Sequence, residues 1–268
     1  MKAPVRVSFV IPNWNHKQLL DECIISIKAL TGNFEKEIIV VDNASEDGSA
    51  EFVKDTHPSV ICHRNDTNTG YSKATNLGVS LSTGQVIFLL NNDIRLFPEC
   101  LQGLFDCLSN NPRAGAAAPL LYYPDGRFQI SCRRFPSPAA LILEQFGVFS
   151  IGRFRKWKLT QEEHICLSEV PQPMASALLI RRECWEEVGP LDEGFPIFFN
   201  DVDWCYRLYK DTNYTIALCH NSRAIHHEGV SVNRLGLRKK INFYKGLIGF
   251  YRKHWANLWK ERTRFDYN

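Results

Sequence analysis

Several stretches of this 268-residue sequence set oxygen- and nitrogen-bearing side chains at spacings that chemistry can use. In Val86-Ile87-Phe88-Leu89-Leu90-Asn91-Asn92-Asp93, five apolar residues stop at two amides and a carboxylate. An apolar run bounded by Thr83-Gly84 predicts a buried strand, and α/β sheets bind ligands beyond the carboxyl ends of their strands. If strand alternation continues, Asn91 and Asp93 share a face and offer oxygens to a hard divalent cation that also holds phosphate. The same residues read equally well as a polar turn with Asp93 capping the next helix. Asp42-Asn43-Ala44-Ser45-Glu46-Asp47-Gly48-Ser49 ends another apolar run with groups able to grip a base and a ribose, or simply to cap a loop.

Three further groups belong with these. Asn68-Thr69-Gly70 offers backbone N–H groups at a helix start but falls short of a full G-x-G-x-x-G. Asn200-Asp201-Val202-Asp203 puts two carboxylates at a helix start, where capping accounts for one and general-base work for the other. His226-His227 lies near a strand end. Such pairs are more often structural than ligating, but a carboxylate-and-amide site still in need of a ligand favours a metal role.

The elements that must position these residues alternate. Strands are predicted over 5–11, 37–41, 60–62, 86–90 and 114–118, with helices over 17–30, from 49 to about 57, 68–81 and 97–110. Repeated βα units imply a mostly parallel, right-handed sheet flanked by helices. Residues 122–173 are irregular and rich in Pro, Arg and aromatics, among them Arg133 and Trp157. A segment of that length is a functional lid or a disordered insertion. Strands are predicted again at 175–180, 214–218 and 224–227, with short helices at 181–188 and 201–208. Finally, apolar residues at 241, 244, 248, 251, 255, 258 and 259 predict a long amphipathic helix with a basic opposite face. Part of that stripe is expected to dock on the domain and the rest to meet anionic lipid.

Composition narrows the class. Hydrophobic content of 44% with 23% charged residues fits a soluble globular chain. Nine scattered cysteines without a C-x-x-C pair argue against a disulfide framework or a structural zinc site and for a reducing cytosol. The start of the chain lacks the pattern of a signal peptide, and no apolar run is long enough to cross a bilayer. Net charge is only +3, yet residues 234–264 carry ten Lys or Arg against the single acid Glu261, a local +9. That asymmetry points to a binding surface at one end, possible contact with the inner face of a cell membrane, and no nucleic-acid partner.

Taken in order, Val10-Ile11-Pro12-Asn13-Trp14-Asn15, Val40-Val41-Asp42-Asn43-Ala44-Ser45, Asn68-Thr69-Gly70-Tyr71, Leu89-Leu90-Asn91-Asn92-Asp93, Asn200-Asp201-Val202-Asp203 and His226 resemble glycosyltransferase family 2. The match is to its rhamnosyltransferase-like branch and runs from about Val7 to Trp255. The resemblance implies a GT-A fold over residues 1–233, a basic helical extension over 234–268, and inverting transfer from a nucleotide-activated sugar. By that likeness Pro12, Asn15, Asp42 and Asn43 hold the nucleoside, with Asn68, Gly70 and Asn92 nearby. Asn91-Asn92-Asp93 stands at the family's D-x-D position, so Asp93, helped by Asn91, would bind Mg2+ or Mn2+ on the diphosphate. His226, with Gly229 and Ser231, stands at its H-x-x-G-x-S position and would be a further metal or diphosphate contact. Asp201 matches the aspartate of the Glu-Asp motif and would be the base. Two departures stand out: Asn91 replaces the first acid of D-x-D, and Asn200 replaces the acid before Asp201, which leaves Asp203 as a second candidate base.

The expected partners are a UDP- or dTDP-sugar and a glycan or lipid-linked acceptor in cell-surface polysaccharide synthesis. One rival is a sugar nucleotidyltransferase, although Pro12-Asn13-Trp14-Asn15 stands where a Gly-rich triphosphate loop would be needed. Another is a catalytically decayed nucleotide- or glycan-binding protein.

Overall fold

The computed structural model describes residues 4–136, 157–195, 197–228 and 237–258. In chain order the first half runs β1 (Val5–Asn13), α1 (Lys17–Lys28), β2 (Phe34–Asp42), α2 (Ser49–Thr56), β3 (Ile61–Arg64), α3 (Tyr71–Ser80), β4 (Val86–Leu90), β5 (Ile94–Leu96) and α4 (Cys100–Asn110). The second half runs β6 (Ala114–Tyr122), β7 (Phe128–Gln129), β8 (Cys132–Arg133), α5 (Gln161–Cys166), β9 (Gln172–Pro173) and β10 (Ala177–Arg181). It closes with α6 (Arg182–Val188), α7 (Asn200–Asp211), β11 (Thr215–His226) and α8 (Leu237–Leu258).

The main sheet is ordered β3-β2-β1-β4-β10-β6-β11-β5, with β7 paired to β6. β3, β2, β1 and β4 run parallel, as do β6 and β11; β10 is antiparallel to both β4 and β6. This is the mostly parallel α/β architecture expected from the sequence. Strands covered on both faces need apolar residues at successive positions, which is why β4 is buried throughout. Val7, Phe9 and Ile11 face α1 and α4, through Leu20, Ile24, Ile27, Leu101 and Leu104. Val10, Val41, Ile87 and Leu89 face the opposite side, with Ala74 and Val79 of α3 and with Trp185 and Trp204. Gly78 lets α3 lie close on that face, since a Cβ there would sit 2.5 Å from Val10 Cγ1. That approach sets Gly70 and Tyr71, at the amino end of α3, beside the strand ends.

The sheet also curls, for a reason visible in the chain. β5 follows β4 after three residues, yet pairs antiparallel with β11 and so lies four places from β4 in the strand order. In a flat sheet four steps would separate them by about 19 Å. The four residue steps from Leu90 to Ile94 reach at most roughly 14 Å. The far edge must therefore fold back, and this brings the end of β11, with His226, to the end of β4.

Candidate active site

The loops leaving β1 and β2 are laced together. Asp42 is fully buried: Oδ1 accepts from Asn13 Nδ2 (2.8 Å) and Ser45 Oγ (2.5 Å), and Oδ2 accepts from the Ser45 N–H (2.9 Å). Asn15 donates its N–H to Ser45 Oγ (2.7 Å) and accepts from the Glu46 N–H (3.0 Å), while the Lys17 N–H, at the start of α1, donates to Asp47 Oδ2 (2.9 Å). Asn15, His16 and Ala44 all hold positive φ, a costly backbone state for residues with a Cβ. Asn43 Oδ1 accepts from Asn65 Nδ2 (2.8 Å) and Thr69 Oγ1 (3.1 Å), and its Nδ2 donates to the Gly70 carbonyl (3.2 Å). Asn68 is exposed and accepts from the Gly70 N–H (3.0 Å); Pro12 is buried in β1. The carboxylates and hydroxyls legible as nucleoside contacts are thus largely committed to building the loop that would cradle one.

At the end of β4 the alternation does not continue. Residues 91–94 form a turn closed by the Ile94 N–H on the Asn91 carbonyl (3.3 Å), so the shared face expected for Asn91 and Asp93 has no basis in strand geometry. Asn91 is fixed by its backbone, its N–H donating to the Ser176 carbonyl (2.9 Å). Asn92 turns inward and donates to Asn13 Oδ1 (2.6 Å) and the Asn15 carbonyl (3.2 Å), tying this turn to the laced loops.

Asp93 meets His226 instead. His226 Nε2 lies 3.4 Å from Asp93 Oδ1, both side chains are nearly enclosed, and Oδ1 has no hydrogen-bond partner. Behind the ring, His226 Nδ1 lies 3.0 Å from Gln129 Oε1, and Gln129 Nε2 donates to Glu228 Oε2 (2.7 Å). The Glu228 carboxylate orients the amide, so Gln129 Oε1 accepts from His226 Nδ1–H and the ring turns Nε2 toward Asp93. Burial alone would raise the Glu228 pKa, but hydrogen bonds from Tyr123 and Gln129 hold it below the usual carboxylate range. A buried carboxylate oxygen and an imidazole nitrogen facing one another form a donor pair that a cation can join. These donors fit a divalent ion. Among the described residues no cluster of three or more His, Cys, Asp or Glu forms a protein-only cage, so substrate oxygens and water would complete the coordination. Gly229 and Ser231 lie outside the described residues.

The third component is the amino end of α7. Phe199 holds a φ of 68°, and Asp201 follows in the first turn. Its Oδ2 accepts from Gln172 Nε2 (3.2 Å). Burial raises the Asp201 pKa above its ordinary value, and the nearby Arg133 charge opposes that shift only in part. Tyr71 lies within electrostatic reach of both Asp201 and Asp93, which with burial push its phenol upward, and its hydroxyl donates to the Ala175 carbonyl (3.2 Å). Asp203 does something else. Fully buried, it accepts from Arg207 Nε (2.9 Å), His254 Nε2 (2.8 Å) and Lys253 Nζ (2.8 Å). Burial alone would raise its pKa, but His254, Lys253 and Arg207 bring it down to about 2.

α8 docks here through Tyr251 of the predicted stripe, whose hydroxyl donates to the Pro136 carbonyl (3.1 Å), and through a neighbouring face that the stripe did not include. Phe250 is fully buried with Phe195, Phe199, Val202 and Tyr206, and Phe243 and Leu247 pack beside them. Gly246 admits the helix, because a Cβ there would meet Phe199 Cδ2 at 2.8 Å. Ile241, Tyr244 and Ile248 stay 52–53% exposed, and Lys245 and Arg252 are exposed beside them. No described helix is long and apolar enough to cross a membrane.

A model of glycosyl transferase family 2 matches residues 8–187. The chain belongs to that family. Its fold is that of GT-A glycosyltransferases: a structure of GalNAc-T7 with UDP, GalNAc and Mn2+ superposes with a TM-score of 0.64 at 19% identity, over 83% of this chain and 43% of that one. Among curated relatives, the N-acetylglucosaminyl-diphospho-decaprenol L-rhamnosyltransferase of Mycobacterium tuberculosis is 26% identical over 247 residues, covering 85% of this chain and 78% of its own. An uncharacterized protein of Sinorhizobium fredii, y4gI, is 29% identical over 266 residues. This chain spans only 28% of the length of y4gI. The family 2 chain therefore matches most of the length of one relative and a smaller part of another. Sequence reasoning had passed over Asn13, Gln129, Gln172 and the role of Glu228. Of these, Asn13 had a signal in its place inside Pro12-Asn13-Trp14-Asn15, and Glu228 directly after the His226-His227 pair.

Proposed function

We propose that this family 2 domain transfers a sugar from a nucleoside-diphosphate donor to a hydroxyl of a lipid-linked or glycan acceptor, with inversion at the anomeric carbon. The observation that carries the reading is Asp93 Oδ1, without a hydrogen-bond partner among the described residues, facing His226 Nε2 (3.4 Å), with the buried Asp201 acting on the same Tyr71 as Asp93. Asp93 and His226 would hold Mg2+ or Mn2+, and their mixed oxygen and nitrogen donors lean toward Mn2+. A cation there supplies positive charge against the departing diphosphate. The loops of Asn15, Asn43, Asn68 and Gly70, braced by Asp42 and Asn92, would seat the nucleoside.

Asp201 carries the other half of the chemistry. The acceptor oxygen attacks the anomeric carbon while its proton passes to the Asp201 carboxylate, and the bond to the diphosphate breaks on the opposite face. Burial suits that role, because a raised pKa makes the carboxylate a stronger proton acceptor. A UDP- or dTDP-sugar is the expected donor, and a diphosphate-linked amino sugar, as in the name of the mycobacterial relative, is the expected acceptor class. We read residues 234–268 as an extension whose outward face, Ile241, Tyr244 and Ile248 beside Lys245 and Arg252, rests on anionic lipid at the cytosolic side of a membrane.

The test is a panel of UDP-, dTDP- and GDP-sugars with Mn2+, read by thermal shift and by release of nucleoside diphosphate. One donor class should stabilise the protein and be hydrolysed slowly without acceptor. Pyrophosphate release from a nucleoside triphosphate and a sugar phosphate would favour a nucleotidyltransferase. Binding without any turnover would favour a decayed site.

A further inference from the structure

Arg133 stands out among the arginines around this site. Its neighbour Arg134 is paired with Glu163, and Arg207 with Asp203. The Arg133 guanidinium has no ion pair or hydrogen bond among the described residues, and its Nε is buried without a partner. It lies over the Trp157 ring, 5.2 Å from the centroid, and the Trp157 indole N–H is also buried, with no hydrogen-bond partner among the described residues. Trp157 is itself braced by Phe199, with centroids 6.5 Å apart and rings nearly parallel. Two neighbouring donors, one of them cationic, are thus held without an acceptor. Withholding a partly buried guanidinium from water is costly unless an anion meets it.

Position identifies which anion. Arg133 pairs across β8 and β9 with Gln172, the residue whose side chain donates to Asp201. Trp157, over which it lies, stacks on Phe199, the residue that caps α7 two positions before Asp201. Arg133 therefore belongs with the base rather than with the cation-binding pair. The group it meets comes with the acceptor.

We propose that Arg133 and Trp157 form an oxyanion subsite for a phosphoryl group of the acceptor, seating it so that its hydroxyl faces Asp201. A guanidinium fork and an indole N–H both donate to phosphoryl oxygens, and the fork can do so in bidentate fashion. The inference rests on the transferase reading above, but its test includes a binding measurement that needs no turnover.

The full chain, R133Q, R133K and W157F would be compared with two acceptors, a short-prenyl diphospho-N-acetylglucosamine and the neutral octyl N-acetylglucosaminide. Calorimetry with EDTA present and donor absent isolates the subsite from Asp93 and His226. The diphosphate acceptor should bind the wild type, roughly 10- to 100-fold more weakly to R133Q, and at an intermediate level to R133K and W157F. In turnover, R133Q should raise KM for the diphosphate acceptor by a similar factor. KM for the neutral acceptor should stay within about twofold of wild type, while kcat shifts alike for both acceptors, because the Arg133 charge also acts on the Asp201 carboxylate. Equal binding to wild type and R133Q would overturn the subsite. So would an equal rise in KM for the donor, which would assign Arg133 to the donor diphosphate. If the wild type binds the diphosphate acceptor in an Arg133-dependent manner but turns over no donor, the subsite stands and the transferase reading fails.

Discussion

Replacing Asp203 with Asn separates an anchor from a base. Asp203 sits two residues from Asp201, but its carboxylate is held by Arg207, Lys253 and His254. A carboxyl brought from 3.8 to about 2 on folding stabilises the native state by roughly 2 kcal/mol at neutral pH. The sign follows from the depressed value: stability is complete above the unfolded pKa and is lost as pH falls through the folded one. About half should remain at pH 3 and little at pH 2. Asp203→Asn should therefore lower ΔG of unfolding in urea by about 2 kcal/mol at pH 7, and by visibly less at pH 3. Arg207 keeps a bond to the Pro190 carbonyl (2.7 Å), so the loss falls mainly on the seam between α7 and α8. At low temperature, where the variant stays folded, turnover should remain within a few-fold of wild type. Asp201→Asn should do the reverse, keeping stability and losing on the order of 10²–10⁴ in turnover while donor binding persists. An unchanged urea midpoint in Asp203→Asn, together with a loss of turnover on that scale, would make Asp203 the base and refute this assignment.

Two other expectations can be checked directly. Asp93→Ala should weaken nucleotide binding in Mn2+ and have little effect in EDTA; identical wild-type titrations with and without EDTA would count against a cation at Asp93 and His226. Replacing Ile241, Tyr244 and Ile248 together by Ser should reduce sedimentation with vesicles containing phosphatidylserine while leaving the urea midpoint nearly unchanged, because these side chains are about half exposed. Equal sedimentation of variant and wild type would leave the outward face of α8 without a lipid role.

Much of the fold was legible because parallel strands enforce continuous apolar runs: β4 begins and ends where Val86 and Leu90 suggested. Long-range pairing was not legible. β5 is too short to show a period, and the sequence does not reveal that β10 runs antiparallel between β4 and β6. β11 was read as two strands because Asn221-Ser222-Arg223 interrupts it, where the pairing with β6 shifts register. In α8 the docked face contains Gly246 and His254, which disguise it, so the stripe through Ile241, Tyr244, Ile248 and Tyr251, of which only Tyr251 packs inward, dominates the reading. At the site, the motif residues mark where chemistry would occur, and their roles depend on neighbours distant in sequence. His226 is oriented by Gln129, 97 positions away, and Asp203 is claimed by His254, 51 positions away.

The three residues between β4 and β5 act as a tie rod. They are too short to let the curled sheet flatten, and they include Asp93, while the strand they pull inward ends in His226. Sheet curvature and the gap between the two facing side chains are consequently one mechanical quantity, governed by the length of this link. Added residues at 91–93 would slacken both together, even with every side chain kept. Length here is a chemical constraint, as binding on the chain as the identity of Asp93 itself.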